Sequence, residues 1–342
     1  MITALIIIIF LSVLVLIHEL GHFLTAKKFN VFIEEFGIGL PPRIFGKKKG
    51  EITYSVNALP IGGFVKIAGE NREESVSEQI PKDRIFYNLK IWKRFLILIA
   101  GVAMNFLFGW VLVSLIFFIG IPRAVVITQV QADTPASQIG LKKNDIVAGF
   151  KNTDEIINFI TRHKGREIEL KIEREGKEMI FKMTPRINPP EGQGALGIVL
   201  ADIGQERQGV LKSVWDGFKA SVNIFAMVFV GIAGLLKSAI LGKASLEAVT
   251  GPVGIVKVTA QAAHLGFVYL IQLLALISLN LAALNIFPFP ALDGGRLLFL
   301  AIEKIKGSPL PKRFEQYVNA FGLVLLLILM AVITVKDITR IF

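Results

Sequence analysis

Two histidines and a glutamate stand together near the start of the sequence, in His18-Glu19-Leu20-Gly21-His22. In a helix, His18 and His22 are one turn apart, so both imidazoles point to one side and can bind the same metal ion. Glu19 lies beside them, where a carboxylate can act as a general base. The alternative is a pair of hydrogen-bonded structural histidines. That alternative is poor here, because ionisable side chains inside an apolar span are costly and mark function.

A catalytic zinc site usually has three protein ligands and one open position. The sequence has four histidines and no cysteine, so the third ligand must be histidine, aspartate or glutamate. His163 and His264 are alternatives, and the standing candidate is Asp293. We therefore predict a site with one zinc ion per chain.

Asp293 lies in Asn285-Ile-Phe-Pro-Phe-Pro-Ala-Leu-Asp-Gly-Gly295. Pro288 and Pro290 cannot continue a helix, so they should end the preceding helix where Asp293 can approach the two histidines. The two glycines that follow permit close backbone approach and a turn into the next helix. The alternative role for Asp293 is the N-cap of a helix that begins near Arg296.

The composition indicates that these residues lie in a membrane protein. Of the 342 residues, 53% are apolar and 19% are charged, and the mean hydropathy is +0.60. This excludes a disordered chain and argues against an ordinary soluble enzyme. We assign the net charge of +11 to basic loops at a membrane surface, and we expect no nucleic-acid partner. The absence of cysteine excludes disulfides, thiolate metal sites and cysteine nucleophiles.

Four apolar segments are long enough to cross a bilayer, and we predict transmembrane helices at about 2–26, 95–121, 266–287 and 317–335. No basic residue precedes Lys27, so we expect the first to be a retained helix rather than a cleaved signal peptide. The connections 27–94 and 288–316 are rich in lysine and arginine. By the positive-inside rule both should be cytoplasmic, which leaves the N-terminus and the region 122–218 outside.

A fifth apolar segment, 220–236, is at the short limit for a span and has a lysine at each end. The two halves of the metal site lie near the C-terminal ends of the first and third predicted spans. These spans must therefore run parallel, which requires an odd number of crossings between them. We accordingly predict that 205–240 lies on or dips into the external leaflet as an amphipathic helix.

The His-Glu-Leu-Gly-His motif in a first span, with the Asn-Ile-Phe-Pro-Phe-Pro-Ala-Leu-Asp-Gly-Gly motif after a later one, resembles the bacterial site-2 intramembrane metalloproteases that carry a PDZ domain and cleave anti-sigma factors. The resemblance implies zinc bound by His18, His22 and Asp293, with Glu19 as the general base. It also implies single-span membrane protein substrates, such as anti-sigma factors or signal-peptide remnants. The implied place is the bacterial inner membrane, with the active site towards the cytoplasm.

The same resemblance implicates asparagines and prolines before the aspartate in substrate handling. They correspond to Asn280, Asn285, Pro288 and Pro290. For the two asparagines, hydrogen bonding between helices of the bundle is the alternative role.

Residues 33–70 predict a β-hairpin, because alternating segments flank the turn Lys47-Lys-Lys-Gly50. Glycine motifs in this region, similar to those of a membrane-associated β region in the family, contain Gly37, Gly39, Gly62 and Gly63. An exposed sheet edge can pair with an unwound substrate segment. The alternative is a plain cytoplasmic hairpin on the headgroups. Residues 82–94 predict an interfacial helix that leads into the second span.

Residues 122–190 predict one external PDZ-like α+β domain. Strands are expected at Val125–Val130, Ile168–Glu173 and Met179–Met183, with a helix at Asp154–Arg162. The segment from Pro135 to Val147 is similar to the PDZ signature, but Asn144 stands where that signature has glycine. In the family this domain excludes bulky substrates, and a peptide ligand is a further expectation.

The predicted whole is a multi-pass α-helical membrane protein with four transmembrane helices, a membrane-associated β region and one external PDZ domain. The expected divisions are 1–121 and 266–342 for the membrane domain, 122–190 for the PDZ domain and 191–265 for external interfacial helices. Two other classes compete with the protease. A non-catalytic PDZ scaffold would not need Glu19. A zinc transporter would need ionisable residues along a path, and the later spans carry none.

Overall fold

The computed structural model describes residues 2–70, 77–174, 176–242 and 249–341. Two compact units make up the chain. The first contains the residues up to Leu115 and those from Val214 onwards, and the second is Ile116–Ser213.

The first unit is built mainly of helices. They are α1 (Ile2–Lys28), α2 (Ile91–Ile119), α5 (Val210–Ile240), α6 (Pro252–Leu265), α7 (Phe267–Ile286), α8 (Asp293–Lys306) and α9 (Lys312–Ile341). Within the described residues, α1, α2, α5, α7 and α9 are long and apolar enough to cross a membrane. The sequence predicted four spans, and α5 is the additional candidate.

Helices α1 and α2 are antiparallel and very close. A Cβ atom on Gly21 would lie 2.3 Å from the carbonyl oxygen of Ala100. Three residues earlier on α1, His18 is near Asn105, which is five residues later on α2. The two contacts progress in opposite directions along the two helices, which defines the antiparallel arrangement.

Helices α2 and α7 are also antiparallel. The Ser278 hydroxyl donates a hydrogen bond of 2.7 Å to the carbonyl oxygen of Asn105. Farther along α2, a Cβ on Gly109 would lie 3.4 Å from the carbonyl oxygen of Ala275, which is earlier on α7. Since α2 is antiparallel to both neighbours, α1 and α7 run parallel, as the shared metal site required.

The hairpin predicted over 33–70 is present as β1 (Ile33–Lys49) and β2 (Ile52–Ile67). The long strands fold back on themselves, because Thr53–Val56 pairs on one side with Glu35–Ile38 and on the other with Phe45–Lys48. The end of β2 pairs with the beginning of β1, where Gly63 is opposite Ile38. The result is a small, strongly bent sheet with the end of β2 at one edge.

That edge packs against the middle of α1. The Ser12 hydroxyl donates a 2.8 Å hydrogen bond to the carbonyl oxygen of Pro60 and accepts one of 3.3 Å from the amide of Gly62. A Cβ on Gly63 would lie 2.7 Å from the Leu16 side chain. The sheet edge therefore lies beside the middle of a helix that is long and apolar enough to cross a membrane.

The interfacial helix predicted over 82–94 is wrong in form. Two short 3-10 turns, Lys82–Arg84 and Phe86–Asn88, precede α2, which begins at Ile91. The buried Phe86 and Leu89 explain the difference, because they anchor this segment in a core shared with Phe23 and Ile97.

The division 191–265 as external helices needs a correction as well. Ile198–Gln205 is a strand of the second unit, and only the later residues form α5 and α6. The amide nitrogens of Gly251 and Gly254 donate hydrogen bonds of 2.9 and 2.8 Å to Asp337 Oδ2, which fixes the start of α6 against α9.

The second unit contains β3 (Ile121–Val130), α3 (Pro135–Gln138), β4 (Ile146–Val147), α4 (Thr153–Arg162), β5 (Ile168–Arg174), β6 (Lys177–Met183) and β7 (Ile198–Gln205). Its five-stranded antiparallel sheet has the order β6-β5-β4-β3-β7. The three predicted strands and the helix are present. The unit extends beyond the predicted 122–190, because β7 completes the sheet.

The turn before β4 explains the asparagine at the glycine position. Asn144 has φ of 73°, in the left-handed region that asparagine enters more readily than most residues. The next residue, Asp145, is 1% exposed. Its Oδ1 accepts a hydrogen bond of 2.7 Å from Arg174 Nε, and its Oδ2 accepts one of 2.8 Å from the Lys142 amide. The charged pair holds this turn against β5.

Candidate metal centre

Three side chains from opposite ends of the chain converge on one point. Asp293 Oδ2 lies 3.0 Å from His18 Nε2 and 3.4 Å from His22 Nε2, and the two Nε2 atoms are 3.1 Å apart. Zinc bound tetrahedrally at about 2.0–2.1 Å keeps its ligand atoms about 3.3 Å from one another. The triangle of the two nitrogens and one oxygen therefore fits a zinc ion.

The hydrogen bonding of His22 also fits a metal ligand. Its Nδ1 lies 2.8 Å from the carbonyl oxygen of Ile97, which can only accept, so Nδ1 carries the hydrogen. In the neutral ring the lone pair is then on Nε2, which faces the other two ligands. An outer partner that fixes the ring in this way is usual for histidines that bind metals.

Small residues make room for the two imidazoles. A Cβ on Gly101 of α2 would lie 2.4 Å from His22 Nε2 and 2.8 Å from His18 Cε1. Together with Gly21 against Ala100, this glycine allows α2 to pass directly over the histidine face of α1. Hydropathy did not single out Gly101, because α2 is apolar on every side.

The segment between α7 and α8 holds Asp293 in place. Asp293 is the first residue of α8 and follows Leu292 at the N-cap, so the alternative role as N-cap is not observed. Gly294 and Gly295 are packed so tightly that a Cβ would lie 2.1 Å from the carbonyl oxygen of Phe287 and 2.3 Å from that of Phe289. Both glycines are therefore required for the turn that presents the aspartate.

Asn319 of α9 supports the same turn from the other side. Its Oδ1 accepts a 3.1 Å hydrogen bond from the amide of Ala291. Ala291 has φ of 73°, so the loop is held in a conformation that an alanine seldom adopts. One helical turn on, Gly322 contacts Pro290 directly.

Glu19 is mostly buried and faces the sheet edge. Its Oε2 accepts a hydrogen bond of 3.1 Å from the amide of Val65. The carboxylate interacts electrostatically with both His18 and His22. A carboxylate beside a metal position, held by one backbone donor, is arranged to take a proton from water.

An ion pair that sequence reasoning missed lies nearby. Arg296, one turn after Asp293, is paired with Glu70, which follows β2. The pair joins the helix that presents Asp293 to the sheet that touches Glu19. Its residues are far apart in sequence and belong to no motif, so the spacing gave no signal for it.

The residues predicted for substrate handling have different surroundings. Asn285 Nδ2 lies 3.5 Å from His18 Nδ1, whereas Asn280 is half-buried earlier on α7. Pro288 and Pro290 are in the connection to α8, directly before the aspartate. Of the predicted glycines, Gly62 and Gly63 contact α1 at Val15 and Leu16. Gly37 and Gly39 pack inside the sheet against Phe64 and Leu59.

Of the other candidates for the third ligand, His163 is not found with His18 and His22 in the part of the chain that the structure describes. His163 belongs to the second unit, where its Nδ1 lies 2.8 Å from the carbonyl oxygen of Phe159. The side chain of His264 lies outside what the structure describes. Asp293 is thus the residue that completes the cluster.

Comparison with known proteins agrees with this centre. The profile of peptidase family M50 matches residues 6–329. The chain belongs to peptidase family M50. A protein of Clostridium acetobutylicum whose name describes a zinc metalloprotease is 36% identical, over 96% of this chain and 94% of its own length. A similarly named protein of Clostridium perfringens is 35% identical over 96% of each chain.

A third relative is the regulator of sigma-W protease RasP of Bacillus subtilis, 28% identical over 98% of each chain. The M50 protein described here is accordingly a zinc metalloprotease of the site-2 type, with zinc as its cofactor. Its apolar helices make it a multi-pass membrane protein, and its general activity is intramembrane proteolysis.

Proposed function

We propose that this M50 protease hydrolyses peptide bonds in or near the transmembrane segments of single-span membrane proteins, among them anti-sigma factors or signal-peptide remnants. One observation carries the proposal: His18, His22 and Glu19 lie on a helix long and apolar enough to cross a membrane, where Asp293 and a sheet edge meet them. The similarity to RasP, whose name is regulator of sigma-W protease, supports this substrate class.

The chemistry follows from the positions of the side chains. His18, His22 and Asp293 would hold zinc, which supplies a Lewis acid that polarises the peptide carbonyl and makes water easier to deprotonate. Glu19 accepts the proton of the attacking water and then delivers it to the leaving amine. The Val65 amide keeps the Glu19 carboxylate directed towards the site throughout.

The sheet edge is proposed to receive the substrate. A helix hides its own peptide bonds, so a membrane segment must unwind before it can be cut, and its freed backbone groups then need partners. The end of β2, with Gly62 and Gly63 against α1, can supply them next to Glu19 by strand addition. The substrate would use backbone groups of this edge other than those that already bond Ser12 and Glu19. Gly37 and Gly39 contribute by allowing the sheet to bend.

Asn280, Asn285, Pro288 and Pro290 are proposed to guide the substrate on the α7 side. Asn285 supports this role best, because its amide is beside His18 and lies at the same end of α7 as Asp293. Both prolines shape the wall of the site without donating hydrogen bonds.

Four crossings, by α1, α2, α7 and α9, fit the contacts of the first unit. Helix α5 begins beside the later part of α2, where Trp110 Nε1 donates a hydrogen bond of 2.9 Å to the carbonyl oxygen of Val214. The chain reaches α6 at Gly251, beside Asp337. Asp337 is fifteen residues beyond Gly322, about 22 Å along α9 from the depth of the site.

The start of α5 and Gly251, where α6 begins, are thus on the side opposite the first residues of α2 and α9. Those first residues share a pocket through Arg94 and Lys312. We propose that α5 enters the membrane from the external side and that the chain is back on that side at Gly251. The ring of its Phe229 is 5.4 Å from Phe287, which fits a helix that reaches down towards the site. The basic 27–94 connection then lies in the cytoplasm and the second unit outside a bacterial inner membrane.

The second unit is proposed to be a PDZ-like domain that restricts access by bulky substrates and binds a peptide. Its antiparallel sheet, helix α4 and Asp145 turn support this assignment.

Cleavage of a tagged single-span substrate with a short external tail tests the function. The purified protein is compared with Glu19→Gln, with and without a zinc chelator. We expect cleavage by the zinc-loaded wild type alone, while Glu19→Gln retains zinc. Full turnover by Glu19→Gln would contradict the role of Glu19.

A further inference from the structure

Asn105 is a buried polar residue that motif reasoning gave no role. It is 1% exposed, and its Nδ2 lies 3.4 Å from His18 Nδ1. Its Oδ1 is buried and has no hydrogen-bond partner. A buried carboxamide oxygen without a hydrogen bond costs free energy. We therefore expect a hydrogen-bond donor for Asn105 Oδ1, which the present orientation of the amide does not reach.

The requirements of His18 supply the missing partner. His18 directs Nε2 towards His22 and Asp293, so a neutral ring that binds metal through Nε2 carries its hydrogen on Nδ1. That hydrogen needs an acceptor, and an amide NH₂ group facing it cannot provide one. Since the two ends of a carboxamide are almost the same size, Asn105 can turn by 180° without a change in packing. The turn directs Oδ1 at the Nδ1 hydrogen.

The other histidine shows the same requirement already met. The Nδ1 hydrogen of His22 is accepted by the carbonyl oxygen of Ile97. Ile97, Gly101 and Asn105 are spaced four residues apart on α2, so they lie along one face. Ile97 supplies an acceptor for one imidazole, Gly101 makes room for both rings, and Asn105 is in position to serve the other.

We infer that Asn105 is a positioning residue of the zinc site, which accepts the Nδ1 hydrogen of His18 through its side-chain oxygen and thereby fixes the Nε2 lone pair towards the metal. Asn285, at 3.5 Å from the same nitrogen, is the second neighbour, but Asn105 is closer and holds the unpaired oxygen. The inference concerns metal binding and is independent of which substrate is cleaved.

The role of Asn105 can be tested by the zinc affinity of the full-length protein, which is measured by competition with a chelating dye. Asn105→Leu keeps the size but loses the acceptor, and we expect about 10–100-fold weaker zinc binding. Asn105→Asp keeps an acceptor and should stay within about threefold of wild type. Ser278→Ala is the matched control, because Ser278 bonds the Asn105 backbone without facing either histidine.

A tautomer measurement needs no variant and covers the case in which Asn105→Leu does not fold. With four histidines in the sequence, ¹⁵N-labelled imidazoles of the zinc-loaded protein can be resolved. His163→Gln and His264→Gln, which leave the three proposed ligands in place, identify the signals that do not belong to the site. We expect His18 to carry its hydrogen on Nδ1, protected from exchange with water, and to lose this protection in Asn105→Leu. Equal loss of zinc affinity in Asn105→Asp and Asn105→Leu would overturn the inference, as would an unprotected His18 hydrogen in the wild type.

Discussion

The backbone amide of Val65 donates a 3.1 Å hydrogen bond to the Oε2 atom of Glu19. The donor is at the edge of the bent sheet, and the acceptor is on a membrane-spanning helix one residue from a metal ligand. Because the amide is used in this way, it is not part of the ladder that joins β1 and β2. The sheet therefore holds the carboxylate that we propose as the general base, and the same edge is the one that we propose for the substrate.

Removal of this one donor should impair catalysis without affecting the metal. Val65→Pro deletes the amide hydrogen, and proline is tolerated at an edge position whose N–H is outside the ladder. We expect about tenfold slower cleavage, the equivalent of one hydrogen bond, with unchanged zinc content. Val65→Ala, which retains the amide, should cleave at the wild-type rate. Equal rates in the two variants would show that this bond does not position Glu19.

A methyl group on Gly101 should displace the histidines. Its Cβ would lie 2.4 Å from His22 Nε2, so α2 must move away or the imidazole must turn. For Gly101→Ala we expect at least about tenfold weaker zinc binding, of the size seen when a ligand loses its support. Gly231→Ala in α5 is the control, since nothing lies within 4 Å of a Cβ there. Normal zinc content in Gly101→Ala would mean that the helices are not so close.

The Asp145–Arg174 pair predicts a pH dependence for the second unit. Burial would raise the pKa of Asp145, but hydrogen bonds from Arg174 and the Lys142 amide outweigh it and hold that pKa below its ordinary value. The pair therefore stabilises the fold at neutral pH. Its contribution begins to fall below about pH 4 and is lost as the pH falls through the lowered pKa.

Asp145→Asn should accordingly lower the stability of this unit at pH 7 by about 2–3 kcal/mol, the worth of hydrogen bonds to a charged group. The loss of stability can be measured by hydrogen exchange at the amides of Ile127 and Leu141 in the intact protein. The difference from wild type should shrink towards pH 3. A difference that is constant with pH would assign the effect to packing.

The proposed topology can be tested directly, because the sequence has no cysteine. Single cysteines replace Lys48, Lys151 and Thr250, and an impermeant thiol reagent is applied to intact cells. We expect labelling at 151 and 250 but not at 48, since the chain after α5 should be back on the side from which α5 started. Labelling at 250 only after permeabilisation would mean that the α5 segment crosses the membrane.

Much of the catalytic cluster follows from local sequence. One helical turn separates His18 from His22, and the prolines and glycines around Asp293 predict the end of a helix followed by a close turn. The parallel course of α1 and α7 then follows from the shared ligand set. The structure brings these three side chains together, and each inference depends only on spacing within a short segment or on a single geometric requirement.

The other features of the fold and the site depend on which helix faces and strands contact each other in the folded chain. Helix α2 is apolar all round, so nothing local shows that Gly101 and Asn105 face the histidines. β7 pairs with β3, 68–84 residues away, and a strand in such a pairing depends on its partner. The segment 82–94 predicts an interfacial helix because its aromatic residues suit a membrane interface, whereas in the structure Phe86 is buried in the core and Trp92 is exposed.

The metal centre is assembled from residues made at very different times. His22 and Asp293 are 271 positions apart, so at roughly 5–20 residues per second about 15–55 s separate their synthesis. Until Asp293 emerges, the first helix holds two histidines and a carboxylate without their third ligand. With the proposed ligand set, a chain that still lacks Asp293 cannot cut, so cleavage has to wait until that residue has been made.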